Sequence, residues 1–335
     1  LPAWEKGLGI SLALGITAAF FVFFKYLDDN TTAGLLELRA GCLALTALLF
    51  FMLWAIEGLR IKLLVHTFCS RDLRIADGIR IFLFTFFFAS VTPFAAGEWP
   101  AHVYALNRHG LSLGESSAVT VIRSISSKMV FLGAGLLMLL LFGGAGAPVL
   151  VGRAFTLAVL AVAANLLVLF FLLWRPAFLE HLLKRFLSRF PLAASWERSS
   201  RVHRLYDSFL KEMRNFRWTT LSINRWKTGR LLLVVLLTAA YWLIFFSIAY
   251  TILRGLNIAL PFVQVLRWQV VMQLILAYIP LPGGSGAAEL GLAALFRVMV
   301  PSAALGIFVI VWRFFTYYML LFFGSLAALG ALRRY

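Results

Sequence analysis

The sequence predicts an all-α fold: a polytopic helical membrane protein with about six full spans and two broken, re-entrant hairpins arranged as inverted repeats. Three observations carry this prediction. The 335 residues are 62% hydrophobic and 13% charged, with a mean hydropathy of +0.90, whereas soluble domains are roughly half apolar. Stretches such as Leu8 to Phe24, Ala40 to Ala55 and Leu231 to Phe246 are apolar on every side. They lack the period-2 alternation of an outer-membrane barrel, so they read as helices. Finally, two apolar regions are interrupted by proline and glycine, and each interruption leads into a lone glutamate and then a distant arginine.

A hydrocarbon core of about 30 Å needs roughly 20 apolar residues per crossing. Full spans are therefore expected near residues 7–27, 39–59, 116–142, 149–174, 229–252 and 303–331. The first has no convincing small-residue cleavage site and reads as a retained span. Between the second and third, Ile81 to Leu106 is apolar but is cut by Pro93, Gly97, Glu98 and Pro100 into pieces too short to cross. Phe262 to Val300 is broken in the same way from Pro280 to Gly286. Irregular backbone at membrane depth survives only inside protein or against a water-filled cavity, so both breaks belong within the bundle. The whole of 1–335 reads as one integral membrane domain, with a first repeat at about 39–142 and a second at about 229–332. The basic connection at about 175–230 joins them. After Ser195, a candidate N-cap, Val202, Leu205, Tyr206, Phe209, Leu210, Met213 and Phe216 fall on one helical face among arginines and lysines. Such a helix either lies on the inner leaflet or packs on the ends of the bundle.

The formal charge of +17 resides in the gaps between apolar spans, where it sets topology and attracts anionic headgroups. Nucleic acid is excluded as a partner on that ground; the expected partners are membrane lipids, especially anionic or phosphate-bearing ones, and a homodimer is compatible with the chain. Arg60, Lys62, Arg71, Arg74 and Arg80 after the second span, the basic connection, and Arg333 and Arg334 are assigned to the cytoplasm, with Asp28 and Asp29 outside. The expected location is the cytoplasmic (inner) membrane. Counting spans, the first hairpin then enters from the cytoplasmic face and the second from the outer face, so the two halves are inverted. Two cysteines and five scattered histidines match no disulfide framework or metal motif, so no metal and no cofactor are expected.

The two breaks carry the functional signal. Thr92, Pro93, Phe94, Ala95, Ala96, Gly97 and Glu98 are followed 25 residues later by Arg123; Pro280, Leu281, Pro282, Gly283, Gly284, Ser285 and Gly286 precede Glu289, with Arg313 24 residues beyond it. Ionisable residues at membrane depth are costly, and matched interruptions in two halves point to a transport site. Each glutamate can bind a cationic headgroup, accept a coupling proton or pair with an arginine, or it can serve its own helix start. Each arginine can clamp phosphate through paired N–H donors, or form a buried salt bridge that fixes helices. Gln264, Gln269 and Gln273, with Arg267, lie on the helix before the second break; they can form a polar stripe lining a cavity, or the first of them, with Pro261 nearby, can simply mark the outer interface.

On Thr92-Pro93 with Gly97-Glu98, Arg123, Pro280 to Gly286 with Glu289, and Arg313 with Tyr317 and Gly324, the chain resembles the membrane domain of lysylphosphatidylglycerol synthetases. This flippase-like family also occurs as stand-alone membrane proteins. The chain departs from the family where an arginine often follows the first Gly-Glu pair, since Trp99, Pro100, Ala101 and His102 stand there, and where an acidic residue often flanks the helix arginine, since Ile122 and Ser126 stand there. The resemblance implies movement between leaflets of a polar-headgroup or phosphate-bearing lipid, whether a phospholipid, an aminoacyl-phospholipid or a polyprenyl-phosphate-linked lipid. The expected protein is a transporter and not an enzyme, the alternative being an intramembrane enzyme or accessory subunit acting on lipid phosphates or glycolipids. The candidate substrate-binding residues are Glu98, Arg123, Glu289, Arg313, Gly97, Gly283, Gly284, Gly286, Pro93, Pro282, Tyr317 and Gln273.

Overall fold

The computed structural model describes residues 39–142, 149–174, 211–212, 214–220 and 225–332. These are mainly helical, with no strand among the described residues. The expected span at 7–27 and most of the basic connection lie outside them.

The first series of elements is α1 (Ala40–Cys69), α2 (Ile75–Val91), a 3₁₀ turn (Pro93–Ala95), α3 (Glu98–Arg108) and α4 (Leu113–Phe142). After α5 (Val149–Trp174) the order recurs: α6 (Arg225–Gly255), α7 (Phe262–Leu276), a 3₁₀ turn (Pro282–Gly284), α8 (Ala287–Phe296), then α9 (Ser302–Arg313) running through a π-helical turn (Phe314–Tyr318) into α10 (Met319–Leu332). Five stretches are long and apolar enough to cross a membrane: Ala40–Cys69, Leu113–Leu141, Val151–Phe171, Thr228–Gly255 and Ala304–Ala331. They coincide with five of the six spans expected from sequence, and the two broken regions fold as helix, turn and short helix.

The series have opposite senses. The amide of Arg39 donates to the carbonyl of Gly255 (3.1 Å), and the hydroxyls of Thr46 and Thr251 meet at 2.8 Å. The start of α1 therefore lies against the end of α6, and these corresponding helices run antiparallel. By contrast, α1 runs with the last span, as Phe50 meets Phe315 and Trp54 meets Phe323 in order along both. These relations are those of inverted repeats.

Small residues set the packing around the first hairpin. A Cβ on Gly78 would lie 2.4 Å from the Gly58 carbonyl oxygen, so α1 and α2 cross in backbone contact beside Glu57. On the other flank of α2, Gly324 of α10 lies against the Leu83 carbonyl. Thr92 closes the turn: its hydroxyl donates to the Phe88 carbonyl and accepts from the Gly97 amide, both at 2.8 Å. The second hairpin contacts α2 through its turn, and the two turns abut each other inside the bundle.

One element differs from its sequence boundary. The span expected to end near residue 59 continues to Cys69, since Ile61, Leu64, Val65 and Phe68 extend its buried face at helical spacing. Arg60, assigned by sequence to a cytoplasmic loop, is instead inside α1 and buried.

The described part of the connection packs on the bundle. Phe216 is buried among Ala118, Val121 and Ile125 of α4 and Leu166 and Leu169 of α5, while Lys211, Arg214, Arg217 and Trp218 remain exposed. Its Glu212 carboxylate accepts from the Gly114 amide at the start of α4 (2.7 Å). A Cβ on Gly114 would meet the Glu212 carbonyl oxygen at 2.1 Å. Gly114→Ala should therefore cost about 1–3 kcal/mol of local packing and loosen this latch. Faster limited proteolysis within the connection, with α4 otherwise intact, is the expected result.

Candidate functional site

The first glutamate–arginine pair is part of a larger charged chain. Arg123, about 15 Å along α4 from Leu113, donates from Nε to Oε1 of Glu57 on α1 (2.7 Å) and from Nη1 to Oε1 of Glu98 at the start of α3 (2.9 Å). The second Glu57 oxygen accepts from Arg60, one turn along α1, and Arg60 Nη2 reaches Ser127 Oγ at 3.3 Å. Two carboxylates and two guanidinium groups alternate, so the chain is formally neutral and each buried charge has an opposite neighbour. That is the condition under which ion pairs persist at membrane depth.

Exposure divides this chain sharply. The side chains of Glu57 and Arg60 are 1% and 2% exposed, Arg123 is 12% exposed, and Glu98 is 38% exposed. Glu57 and Arg60 form a sealed base, Arg123 stands at its edge, and Glu98 is the open end.

The second pair is closed. Arg313, about 16 Å along α9 from Ser302, donates from Nε to Oε1 of Glu289 (2.7 Å), and its Nη2 reaches the Gly283 carbonyl (3.3 Å) and Ser285 Oγ (3.4 Å). The other Glu289 oxygen accepts from the Gly286 amide at the start of α8 (2.7 Å). The guanidinium carbon sits 4.1 Å from the Tyr317 ring centroid, a cation–π contact. Glu289 is fully buried and Arg313 nearly so. These contacts all come from the pair's own half of the protein.

The turns explain the difference. Gly283 and Gly284 adopt positive φ (60° and 61°), and a Cβ at Gly283 would lie 2.4 Å from the Tyr317 ring; only glycine lets that ring close over the turn. In the first hairpin the equivalent left-handed positions are held by Phe94 (φ 54°) and Ala95 (φ 53°). These side chains disfavour that conformation by roughly 1–2 kcal/mol each, and backbone strain of this kind gathers at functional sites. Phe94 is 61% exposed, so the first turn is open where the second is covered.

Of the residues singled out from sequence, Glu98 and Arg123 meet directly, as do Glu289 and Arg313. Pro93 and Pro282 open their turns. Gly97 allows close approach to the Phe88 carbonyl, Gly286 supplies the amide for Glu289, and Tyr317 covers Arg313. Gln273 is half-buried on α7 and takes no part in the contacts just described. Each arginine forms its ion pairs within its own half, so the ion pairs do not join the two sets into one cluster.

Sequence reasoning missed Glu57, Arg60 and His102. A glutamate with an arginine three residues on, inside an apolar helix, was the available signal for the first two. His102 lies one turn beyond Glu98 on α3 and is fully buried, with Nδ1 2.7 Å from Thr120 Oγ1, one turn before Arg123 on α4.

Residues 8–324 match the family described as "Lysylphosphatidylglycerol synthase TM region". A similar protein is a UPF0104 membrane protein of Archaeoglobus fulgidus, 28% identical over 325 residues, which span 96% of this chain and 95% of the relative.

Proposed function

Because the chain belongs to the lysylphosphatidylglycerol synthase transmembrane-region family, we propose that it moves a phosphate-bearing lipid between the leaflets of the cytoplasmic membrane. In this reading the basic connection lies on the cytoplasmic side, facing anionic headgroups, and the lipid is carried without covalent change. The observation that supports it best is the graded exposure along Glu57, Arg123 and Glu98.

Arg123 is anchored through Nε by a sealed carboxylate and presents Nη1 to a carboxylate that reaches solvent. A headgroup phosphate carries the same single charge as Glu98 and accepts the same N–H donors, so it can take the place of Glu98 without disturbing the base. Glu57, held in turn by Arg60, keeps the guanidinium in place during the exchange. The lipid tails stay in the bilayer, and the open first turn offers the headgroup its approach. The Glu289–Arg313 pair serves as the fixed pivot of the second hairpin.

Native mass spectrometry of co-purified lipids tests this assignment. Phosphate-bearing lipid should remain with the wild type and be lost from Arg123→Ala. An unchanged lipid complement in folded Arg123→Ala would count against the site.

A further inference from the structure

One cation beside the charged chain has no partner in it. Lys128 stands about 22 Å along α4 from Leu113 and about 21 Å short of Phe142, at the middle of a helix long and apolar enough to cross a membrane. The side chain is half-buried, and its ammonium forms no hydrogen bond or ion pair among the described residues. A lysine stem is far shorter than either distance, so the charge cannot snorkel to a membrane surface. An unpaired ionisable residue at that depth marks a functional site.

Its surroundings say which site. Long side chains on a helix lean toward its N-terminus, for Lys128 the direction of Arg123, and the charges acting on its ammonium are those of Glu98 and Arg123. Glu98 is bound at one oxygen only: Oε1 accepts from Arg123, and Oε2 has no hydrogen-bond donor among the described residues. With Lys128 included, three cations (Arg60, Arg123 and Lys128) face two carboxylates (Glu57 and Glu98), which leaves one positive charge in excess. His102 and Tyr241 also face these charges but add none. A phenol is neutral at pH 7, and a protonated His102 would bury a second N–H without an acceptor, because its Nε2 has no hydrogen-bond partner.

We propose that Lys128 selects lipids whose headgroup carries one net negative charge. This inference rests on the phosphate-exchange reading of Arg123. When a phosphodiester takes the place of Glu98 on Arg123, the freed carboxylate turns to Lys128, and the incoming charge cancels the excess, so that three anions face three cations. A zwitterionic headgroup fares worse. Its phosphate can take Arg123, but its ammonium must contend with Lys128 for Glu98, and the cation that loses is left unpaired beside a like charge. Lys128 is thus the receiving partner that lets Glu98 leave Arg123. It is also the repulsive element that turns a phosphate site into a site for anionic lipid.

The test uses the whole protein in nonionic detergent at pH 7, with dihexanoyl-phosphatidylglycerol as the monoanion and dihexanoyl-phosphatidylethanolamine as the zwitterion. Titration calorimetry should show wild type binding the monoanion at least about tenfold more tightly. Lys128→Gln and Lys128→Met each leave two cations facing two carboxylates, so the zwitterion now gives the balanced complex. In both variants the preference should shrink to within about twofold or reverse, with melting close to wild type. Lys128→Arg keeps the charge and should keep the preference. Arg123→Ala should lose both lipids, which reports on the exchange site and not on the selection. Equal binding of the two lipids by wild type, or an undiminished preference in the neutral variants, would overturn the selection while leaving the exchange site standing. So would neutral variants too unstable to assay, since a lysine without partners holds no element in place. No binding of either lipid by wild type, or unchanged binding by Arg123→Ala, would overturn both.

Discussion

Glu57→Gln is expected to destabilise the protein by about 3–5 kcal/mol, because it leaves the buried Arg60 without its carboxylate partner and Arg123 with only the half-exposed Glu98. The loss should appear as a lower melting temperature in detergent. Glu57→Gln combined with Arg60→Gln should recover most of it, since Arg123 and Glu98 then remain as a neutral pair. Were the single variant to melt like the wild type, the sealed base assigned to Glu57 would be wrong. The same base has a functional purpose: it holds a guanidinium at depth while its outer partner is exchanged.

A loss of similar size, again about 3–5 kcal/mol, is expected for Arg313→Gln or Glu289→Gln alone. Each strands one charge in the closed half of the molecule, and Glu289→Gln also weakens the contact to the Gly286 amide. The double variant should recover most of the stability, as groups in direct contact are strongly non-additive. Melting curves for the two singles and the double provide the cycle, and a double variant as unstable as the sum of the singles would contradict a closed pair. Because this pair is enclosed by Gly283, Ser285 and Tyr317, restoring the fold should also restore lipid movement.

The helical membrane fold and both hairpins were legible in the sequence because their signals are local. Proline and glycine interrupt apolar runs, and a glutamate in such a run has few explanations. The pairing of Glu98 with Arg123 and of Glu289 with Arg313 was within reach for the same reason, since each pair spans adjacent elements of one half. The role of Arg60 was hidden because Lys62 follows it closely and the apolar run could end just before both. Only the buried face of Ile61, Leu64, Val65 and Phe68 carries the helix past them. Glu57 belongs to the site through the packing of α1 against α4, where it meets Arg123, a contact between elements that no local pattern encodes. His102 depends likewise on the packing of α3 against α4. The unequal openness of the turns was also concealed, as Phe94 and Ala95 are not residue types that announce a left-handed backbone.

The most direct measurement compares the two arginines in the same lipid-movement assay. Full-length protein is reconstituted in vesicles of phosphatidylethanolamine and phosphatidylglycerol containing acyl-labelled fluorescent phosphatidylglycerol, and a membrane-impermeant quencher reports arrival of the label in the outer leaflet. Arg123→Ala should slow movement by at least about tenfold while remaining folded, whereas the combined Glu289→Gln and Arg313→Gln variant should keep a rate within about threefold of wild type. Wild-type movement in folded Arg123→Ala, or an equal loss in the stably folded double variant, would contradict a headgroup site centred on the open half of the protein.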